Sequence, residues 1–288
     1  MITHAAETVL GGSASRYALA ARHGEDGVRH PIMKLVTWNC CRGDRTSKLA
    51  ALAKLTPDIA VLQECARSVA PADGGAHAWF GNNPQQGVAV LASNGFQVEA
   101  LPGTDFASAY AAKVSGPTAF HLLAVWAQST PTYARAVLDA LEEHRAFLLE
   151  GPSVVAGDFN TNTVLSKSVR GGGHADIVRV LEQDFGLVSA YHQFFKEEHG
   201  RESRPTHYWR WDESKPFHID YCFVPKAWAG YIRQVTVGSF ADWAKDSDHR
   251  PLVVDVAEES RSFSRVSFAF PAVPLSGGGD SYAGVSAR

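Results

Sequence analysis

No stretch of the chain reaches the roughly 18 consecutive apolar residues that a membrane-spanning helix needs. The first residues also lack the apolar centre of a secretory signal, so neither a membrane span nor export is expected. Cysteine is scarce. The four present, Cys40, Cys41, Cys65 and Cys222, show no CxxC spacing, and neighbours in a strand point to opposite faces, so Cys40 and Cys41 are not expected to pair. Reduced core thiols fit a cytoplasmic protein. Positive charge is not in excess either. Lys and Arg number 27 against 30 Asp and Glu, a formal net charge of -3, so no global field exists to grip a polyanion and any nucleic-acid binding must be local. Low complexity is confined to the ends, and no linker or internal repeat divides the middle. With 45% hydrophobic and 20% charged residues over 288 positions, the composition supports one large α/β domain.

Residues 1–32, rich in Ala, Gly, Arg and His without a period, read as a flexible extension, and Met33 directly before the first strand is an alternative start. Residues 259–288, with Ser-Gly-Gly-Gly-Asp-Ser, read as a mostly irregular tail holding at most a short strand at Phe268 to Phe270. Between them, Leu49, Leu52 and Leu55 recur at helical spacing after Ser47, a candidate N-cap. Strands are expected over Gly87 to Ala92, Tyr110 to Val114 and Ala119 to Ala127, and a long helix over Thr132 to Leu149 with Ala134, Val137, Leu138, Leu141 and Leu148 on its apolar face. A second helix is expected over Ala175 to Asp184. Strands with interspersed helices, several joined by short turns, predict mixed sheets.

The chemistry gathers at strand ends. Val154-Val155-Ala156 reads as a buried strand, Gly157 lets the backbone leave it, and Asp158 and Asn160 follow at its carboxyl end, where open α/β sheets keep their sites. Leu35 to Trp38 runs into Asn39 in the same way, and Ile59 to Gln63 into Glu64. Asp220 lies inside the apolar run His218 to Val224, and Asp248-His249 precedes the strand Leu252 to Val256. Each has an ordinary reading: a turn cap for Asn39, a turn aspartate for Asp248, a surface histidine for His249. A carboxylate ending an apolar strand, as Glu64 does, is costly without a cation nearby.

Five such motifs, in the order Asn, Glu, Asp-x-Asn, Asp, Asp-His, resemble the endonuclease/exonuclease/phosphatase superfamily, whose members include exonuclease III and DNase I. The resemblance spans roughly Lys34 to Val256 and implies a catalytic domain over 33–258. It implies a four-layer α/β/β/α sandwich of two mixed sheets flanked by helices. It also implies a divalent-metal-dependent phosphodiesterase using Mg²⁺ or Mn²⁺, with DNA the leading substrate and no obligate protein partner. Metal binding then falls to Glu64, with Asn39 and Asp248 completing the shell, an oxygen-donor set that suits Mg²⁺. Asp158 orients or deprotonates the attacking water, Asn160 holds the water or the phosphate, and His249 is the electrophile, its tautomer fixed by Asp220. One position departs from the family pattern: where members carry His or Tyr at a strand end, this chain has Trp126, whose indole donates a hydrogen bond but no proton at neutral pH. His218, two residues before Asp220, is a candidate to compensate, against ordinary packing.

Substrate contacts are sought in the stretch Arg201 to Asp212. Arg204 and Arg210 interleave there with Tyr208, Trp209 and Trp211, a pattern that stacks bases while neutralising phosphates. The alternative is that the indoles are core and the charges solvated. Arg42, Arg45 and Lys48 extend the basic rim. His174, His192, His199 and His207 lack zinc-site spacing and read as surface or loop residues. The same superfamily also attacks RNA and small or terminal phosphate esters, which stand as the alternative substrates, and a binding module without activity is the more distant reading.

Overall fold

Side chains alternate across a strand, so a run of apolar residues such as Val154 to Ala156 needs a partner layer on each side. The computed structural model supplies both. It describes residues 32–42, 45–69, 74–101, 108–166 and 172–257; the expected terminal extension, the tail and the strand at Phe268 to Phe270 lie outside them. One six-stranded sheet is built from β1 (Ile32–Asn39), β2 (Ile59–Cys65), β3 (His77–Asn83), β4 (Gln86–Ala92), β13 (Ile232–Val237) and β14 (Leu252–Ala257), in the order β13-β14-β1-β2-β4-β3. The other contains β5 (Gln97–Ala100), β6 (Ala109–Ser115), β7 (Phe120–Trp126), β8 (Ser153–Asp158), β9 (Leu187–Ser189) and β12 (Asp220–Pro225), in the order β5-β6-β7-β8-β12-β9. Each is mixed: β1 pairs parallel with β2 and β7 parallel with β8, while the remaining pairs are antiparallel.

The two sheets face each other across one core. Leu35, Val61, Val90 and Val254 of the first meet Leu122, Ala124, Val154 and Cys222 of the second. The intervening residues face outward and are covered by helices. On the second sheet Leu123, Val155 and Phe223 pack under Val137 and Leu141 of α2 (Tyr133–Glu143) and Ile177 and Leu181 of α4 (His174–Gln183). On the first, Trp38, Leu62 and Leu91 pack with Leu52 of α1 (Arg45–Leu55). This is the four-layer α/β/β/α sandwich. The short helices α3 (Arg145–Leu149), α5 (Ala190–Phe195) and α6 (Phe240–Trp243) complete the helical set among the described residues, together with two 3-10 turns and a two-residue ribbon of β10 (His207–Tyr208) and β11 (Pro216–Phe217). No described helix is long and apolar enough to cross a membrane.

Three expectations change. The long helix breaks at His144, whose backbone (φ -95, ψ 13) leaves the helical region, so α2 and α3 replace it. Ser47 lies inside α1 and does not cap it, because the helix starts at Arg45. Gly157 stays within β8, and its need for glycine is close packing: at φ +150 an added Cβ would sit 1.9 Å from the carbonyl oxygen of Val125 on the neighbouring strand.

Candidate active site

At one end of the sandwich the inner faces of both sheets expose polar side chains where the apolar core stops. Asp158 and Asp220 are opposite each other in the antiparallel β8–β12 register, and Trp126 is beside Asp158 in the parallel β7–β8 register. Asn39 ends β1 on the facing sheet and spans the gap. Its Nδ2 donates to Asp158 Oδ2 at 2.9 Å and reaches Glu64 Oε1 at 3.3 Å, while its Oδ1 accepts from the Cys41 N–H. Glu64 owes its direction to an irregularity between Leu62 and Cys65 in the β2–β4 pairing, where it adopts φ +53. Its other oxygen takes Arg42 Nε at 3.2 Å and Gln86 Nε2 at 3.3 Å. The Asp-x-Asn turn is closed by Asn160 at φ +51, which donates its backbone N–H to Asp158 Oδ1 (2.8 Å) and its amide to Asp158 Oδ2 (3.1 Å) and to the Ala127 carbonyl (3.2 Å).

His249 arrives from the segment between β13 and β14. Its Nδ1 lies 2.9 Å from Asp220 Oδ2 and its Nε2 3.9 Å from Asp158 Oδ2. Ser247 locks that segment to β1: its hydroxyl donates to the Asn39 carbonyl (2.8 Å) and accepts the His249 N–H (3.0 Å), while Trp38 Nε1 donates to the His249 carbonyl. Arg250, fully buried, donates to the Ser247 and His249 carbonyls and lies over the rings of Tyr208 and Phe240.

The charges are unusual because water is excluded. Burial pushes the carboxyl of Asp158 up to about 7; His249 opposes the shift and Asp220 adds to it. Burial would lower His249, but the carboxylates of Asp220 and Asp158 outweigh it and raise the imidazole to about 9. For Asp248, burial is overcome by the nearby His207 imidazole and the charge of His249, which hold it at about 2. The Cys41 thiol beside it is pushed up to about 12 by burial and by Asp248.

Acidic and histidine groups here could hold a metal ion. The ligand atoms of Asp158, Asp220 and His249, and those of His207, Asp248 and His249, form two sets within 4.8 Å. Glu64 and Asp248 are the carboxylates that keep side-chain exposure, at 22% and 18%. The expected donors Glu64, Asp248 and the Asn39 carbonyl are all hard oxygens, the type that Mg²⁺ or Mn²⁺ prefers. A cavity of about 330 Å³ lies beside Glu64, lined by Arg42 and Gln86 and by Trp38, Leu49, Leu52 and Leu62.

Hydrogen bonds thus join Asn39, Glu64, Asp158 and Asn160, and separately Asp220 and His249; His249 Nε2 lies 3.9 Å from Asp158, and the ligand atoms of Asp248 and His249 are within 4.8 Å. The outlying candidates are distributed differently. Trp126 is half-buried against the inner core beside Asp158. Tyr208 donates its backbone N–H to the Asp248 carbonyl and stacks its ring edge-on to Phe240. Trp209 and Trp211 are 51% and 48% exposed, so they are not core. Arg204 is engaged by Glu197 at 3.1 Å and lies 3.9 Å over the Phe195 ring. His218 is buried against Tyr191 and Tyr221, its Nδ1 on the Arg204 carbonyl. His174, His192 and His207 are buried, contrary to the surface reading, since their rings pack among other aromatic side chains.

Two residues escape sequence reasoning. Thr206 Oγ1 accepts the backbone N–H groups of both Ile219 and Asp220 at 3.0 Å, fixing the start of β12. His207 bridges to His249 and reaches Asp248 at 3.7 Å. Both adjoin the aromatic stretch, but their partners lie too far along the chain for spacing to reveal them.

Residues 36–249 match the model of the Endonuclease/Exonuclease/phosphatase family. Among solved structures the chain is similar to the AP endonuclease LMAP from Leishmania major, with 16% identity and a TM-score of 0.59 over 79% of this chain and 88% of that one. It is similar to the 3' phosphatase NExo from Neisseria bound to product DNA hairpin, at 21% identity and TM-score 0.57 over 78% and 100%. It is also similar to truncated TDP2 from Caenorhabditis elegans, at 17% identity and TM-score 0.56 over 79% and 98%. At these identities the likeness is one of fold. No curated protein matches the sequence.

Proposed function

The chain belongs to the endonuclease/exonuclease/phosphatase family, and from that premise we propose that it is a divalent-metal-dependent phosphodiesterase acting on DNA. The observation that carries the reading is His249 held between two buried carboxylates, with Nδ1 on Asp220 and Nε2 turned to Asp158. That arrangement keeps an imidazolium beside a group able to take a proton, which is what attack by water on a phosphodiester requires.

Asp158, with its carboxyl raised to about 7, is the base: it aligns a water and accepts its proton near neutral pH. Asn39 and Asn160 donate to it and fix its oxygens. His249 presents Nε2–H to a nonbridging phosphoryl oxygen and stabilises the charge that builds there. Asp220 holds the imidazole in the needed tautomer and charge state. Glu64, Asp248 and Asn39 would hold Mg²⁺ or Mn²⁺, whose chemistry is neutralising phosphoryl and leaving-group oxygens. Trp126 flanks Asp158 and serves in positioning, since an indole delivers no proton. A nucleic-acid substrate is favoured by Trp209 and Trp211, two exposed indoles beside Arg210. A cytoplasmic setting follows from the cysteine usage.

The test is cleavage of supercoiled plasmid and of a labelled single-stranded oligonucleotide with Mg²⁺ or Mn²⁺, with EDTA and His249→Ala controls. Nicking or end-degradation that disappears in both controls is the expected result, and the product pattern assigns endo- or exonucleolytic cleavage. Intact DNA with turnover of RNA or a small phosphoester would keep the chemistry and replace the substrate. No turnover of any of them would leave a binding module.

A further inference from the structure

Around the ring of Tyr221, on the helix-covered side of the second sheet, four histidines and a glutamate are gathered from separate elements: His174 at the start of α4, His192 in α5, His199 and Glu202 in the following loop, and His218 before β12. Glu202 is the anomaly. Its side chain is 4% exposed, its Oε1 accepts the Gly200 N–H at 2.9 Å and faces His192 Nε2 at 3.1 Å, and no Lys or Arg among the described residues pairs with it. A buried anion without a counter-cation is costly.

The imidazoles around it are under-satisfied in the complementary sense. Both nitrogens of the fully buried His174, Nδ1 of His199 and Nε2 of His218 have no hydrogen-bond partner. Native interiors rarely leave such atoms, and each points to a missing partner. His192 places Nδ1 2.7 Å from Ser189 Oγ, the second-sphere arrangement metal-binding histidines use, and directs Nε2 at Glu202 Oε1, a contact that a metal between the two would replace.

We propose that His192, His199 and Glu202, whose ligand atoms lie within 4.8 Å of one another, form a structural site for a divalent transition metal of the Zn²⁺ class. Zn–N bonds of about 2.0 Å space neighbouring ligands by roughly 3.3 Å, so the His192 and His199 rings, stacked with centroids 3.5 Å apart, must turn away from each other to close the set. An imidazole-rich site selects against Mg²⁺, which separates this ion from one held by Glu64 and Asp248. None of the proposed ligands takes part in the proposed phosphodiester cleavage. Their effect on it runs through the loop they anchor, because residues 199–208 include Thr206, which fixes the backbone of Asp220, and His207, which meets Asp248.

The experiment uses the full chain without an affinity tag, stripped with chelator and reloaded with Co²⁺ in the presence of saturating Mg²⁺. About one Co²⁺ per chain is expected, with the visible absorption of a tetrahedral ion, displaced by Zn²⁺. His199→Asn and Glu202→Gln should lose the absorption and the rise in Tm on adding Zn²⁺, while Asp248→Asn retains both. Absorption that survives in His199→Asn, or that is lost in Asp248→Asn, would overturn the assignment. If a variant does not fold, equilibrium dialysis of the wild-type chain against Zn²⁺ and Mg²⁺ decides: failure to retain a tightly bound Zn²⁺ rejects the site.

Discussion

Nδ1 of His249 lies 2.9 Å from Oδ2 of Asp220, and this bond leaves Nε2 as the nitrogen that faces Asp158 and the cleft. Both partners are buried, so the carboxylate acts on the imidazole with little screening. The first prediction follows directly. Asp220→Asn keeps the shape but removes the charge, so the imidazole loses its preference for the protonated state. Turnover of an aryl phosphodiester should fall by about 10²- to 10⁴-fold, the usual share of general acid–base groups. NMR titration should show the His249 pKa falling below its wild-type position. An unchanged pKa would mean that Asp158 alone sustains the imidazolium.

The same pair sets a pH dependence of stability. His249 is raised from 6.5 to about 9 in the folded chain, so its contribution is fully present below pH 6.5 and is lost as pH rises through about 9. Asp158 is raised from 3.8 to about 7, so it likewise favours folding below 3.8, and that contribution is lost as pH rises through about 7. The two titrate as one unit. In metal-free protein, Tm should therefore decline from pH 6.5 to 9 more steeply in wild type than in His249→Gln. Parallel curves would refute the coupling.

The fold was legible wherever an apolar run marks both a strand and the point where it leaves the core. That is why Asn39, Glu64, Asp158, Asp220 and His249, each beside such a run, could be read in order. The edge strands were not legible. β3 buries only Ala78 and Phe80 and is exposed at His77 and at Gly81 to Asn83, and β5 is exposed at three of its four residues, so neither carries a long buried stripe to announce it. The buried histidines were hidden for another reason. His174, His192 and His199 come from two helices and a loop, and only the closed fold sets their rings against Tyr221.

Thr206 makes the third prediction. Its Oγ1 is the acceptor for two buried backbone N–H groups, those of Ile219 and Asp220. Thr206→Val has nearly the same shape and no acceptor, leaving both donors unsatisfied at about 1–3 kcal/mol each. Urea denaturation should show a loss of that order. kcat should fall with little change in KM, because Asp220 is displaced and the substrate surface is not. Thr206→Ser should restore most of both; failure of that rescue would assign the effect to packing of the Thr methyl.

Trp209 tests the substrate. It is 51% exposed, with Arg210 at 5.6 Å over its ring, and it sits in a turn where Arg210 and Trp211 both adopt left-handed backbone (φ 55 and 58). Such conformations cost of order 1–3 kcal/mol per residue and persist where surrounding bonds impose them. Here the Trp209 N–H to Lys215 carbonyl bond and the Asp212–Lys215 ion pair close the turn. Holding two indoles outward against that cost is reasonable if their faces receive bases. A stacked base contributes about 1–3 kcal/mol, so Trp209→Ala should weaken binding of a single-stranded oligonucleotide by about 5- to 150-fold. The Tm should fall less than for a core tryptophan, since about half of the residue, 51%, is exposed. Hydrolysis of a small aryl phosphodiester, which has no base to stack, should be unchanged. Equal losses on the two substrates would remove the stacking role and with it the main local argument for a nucleic-acid substrate.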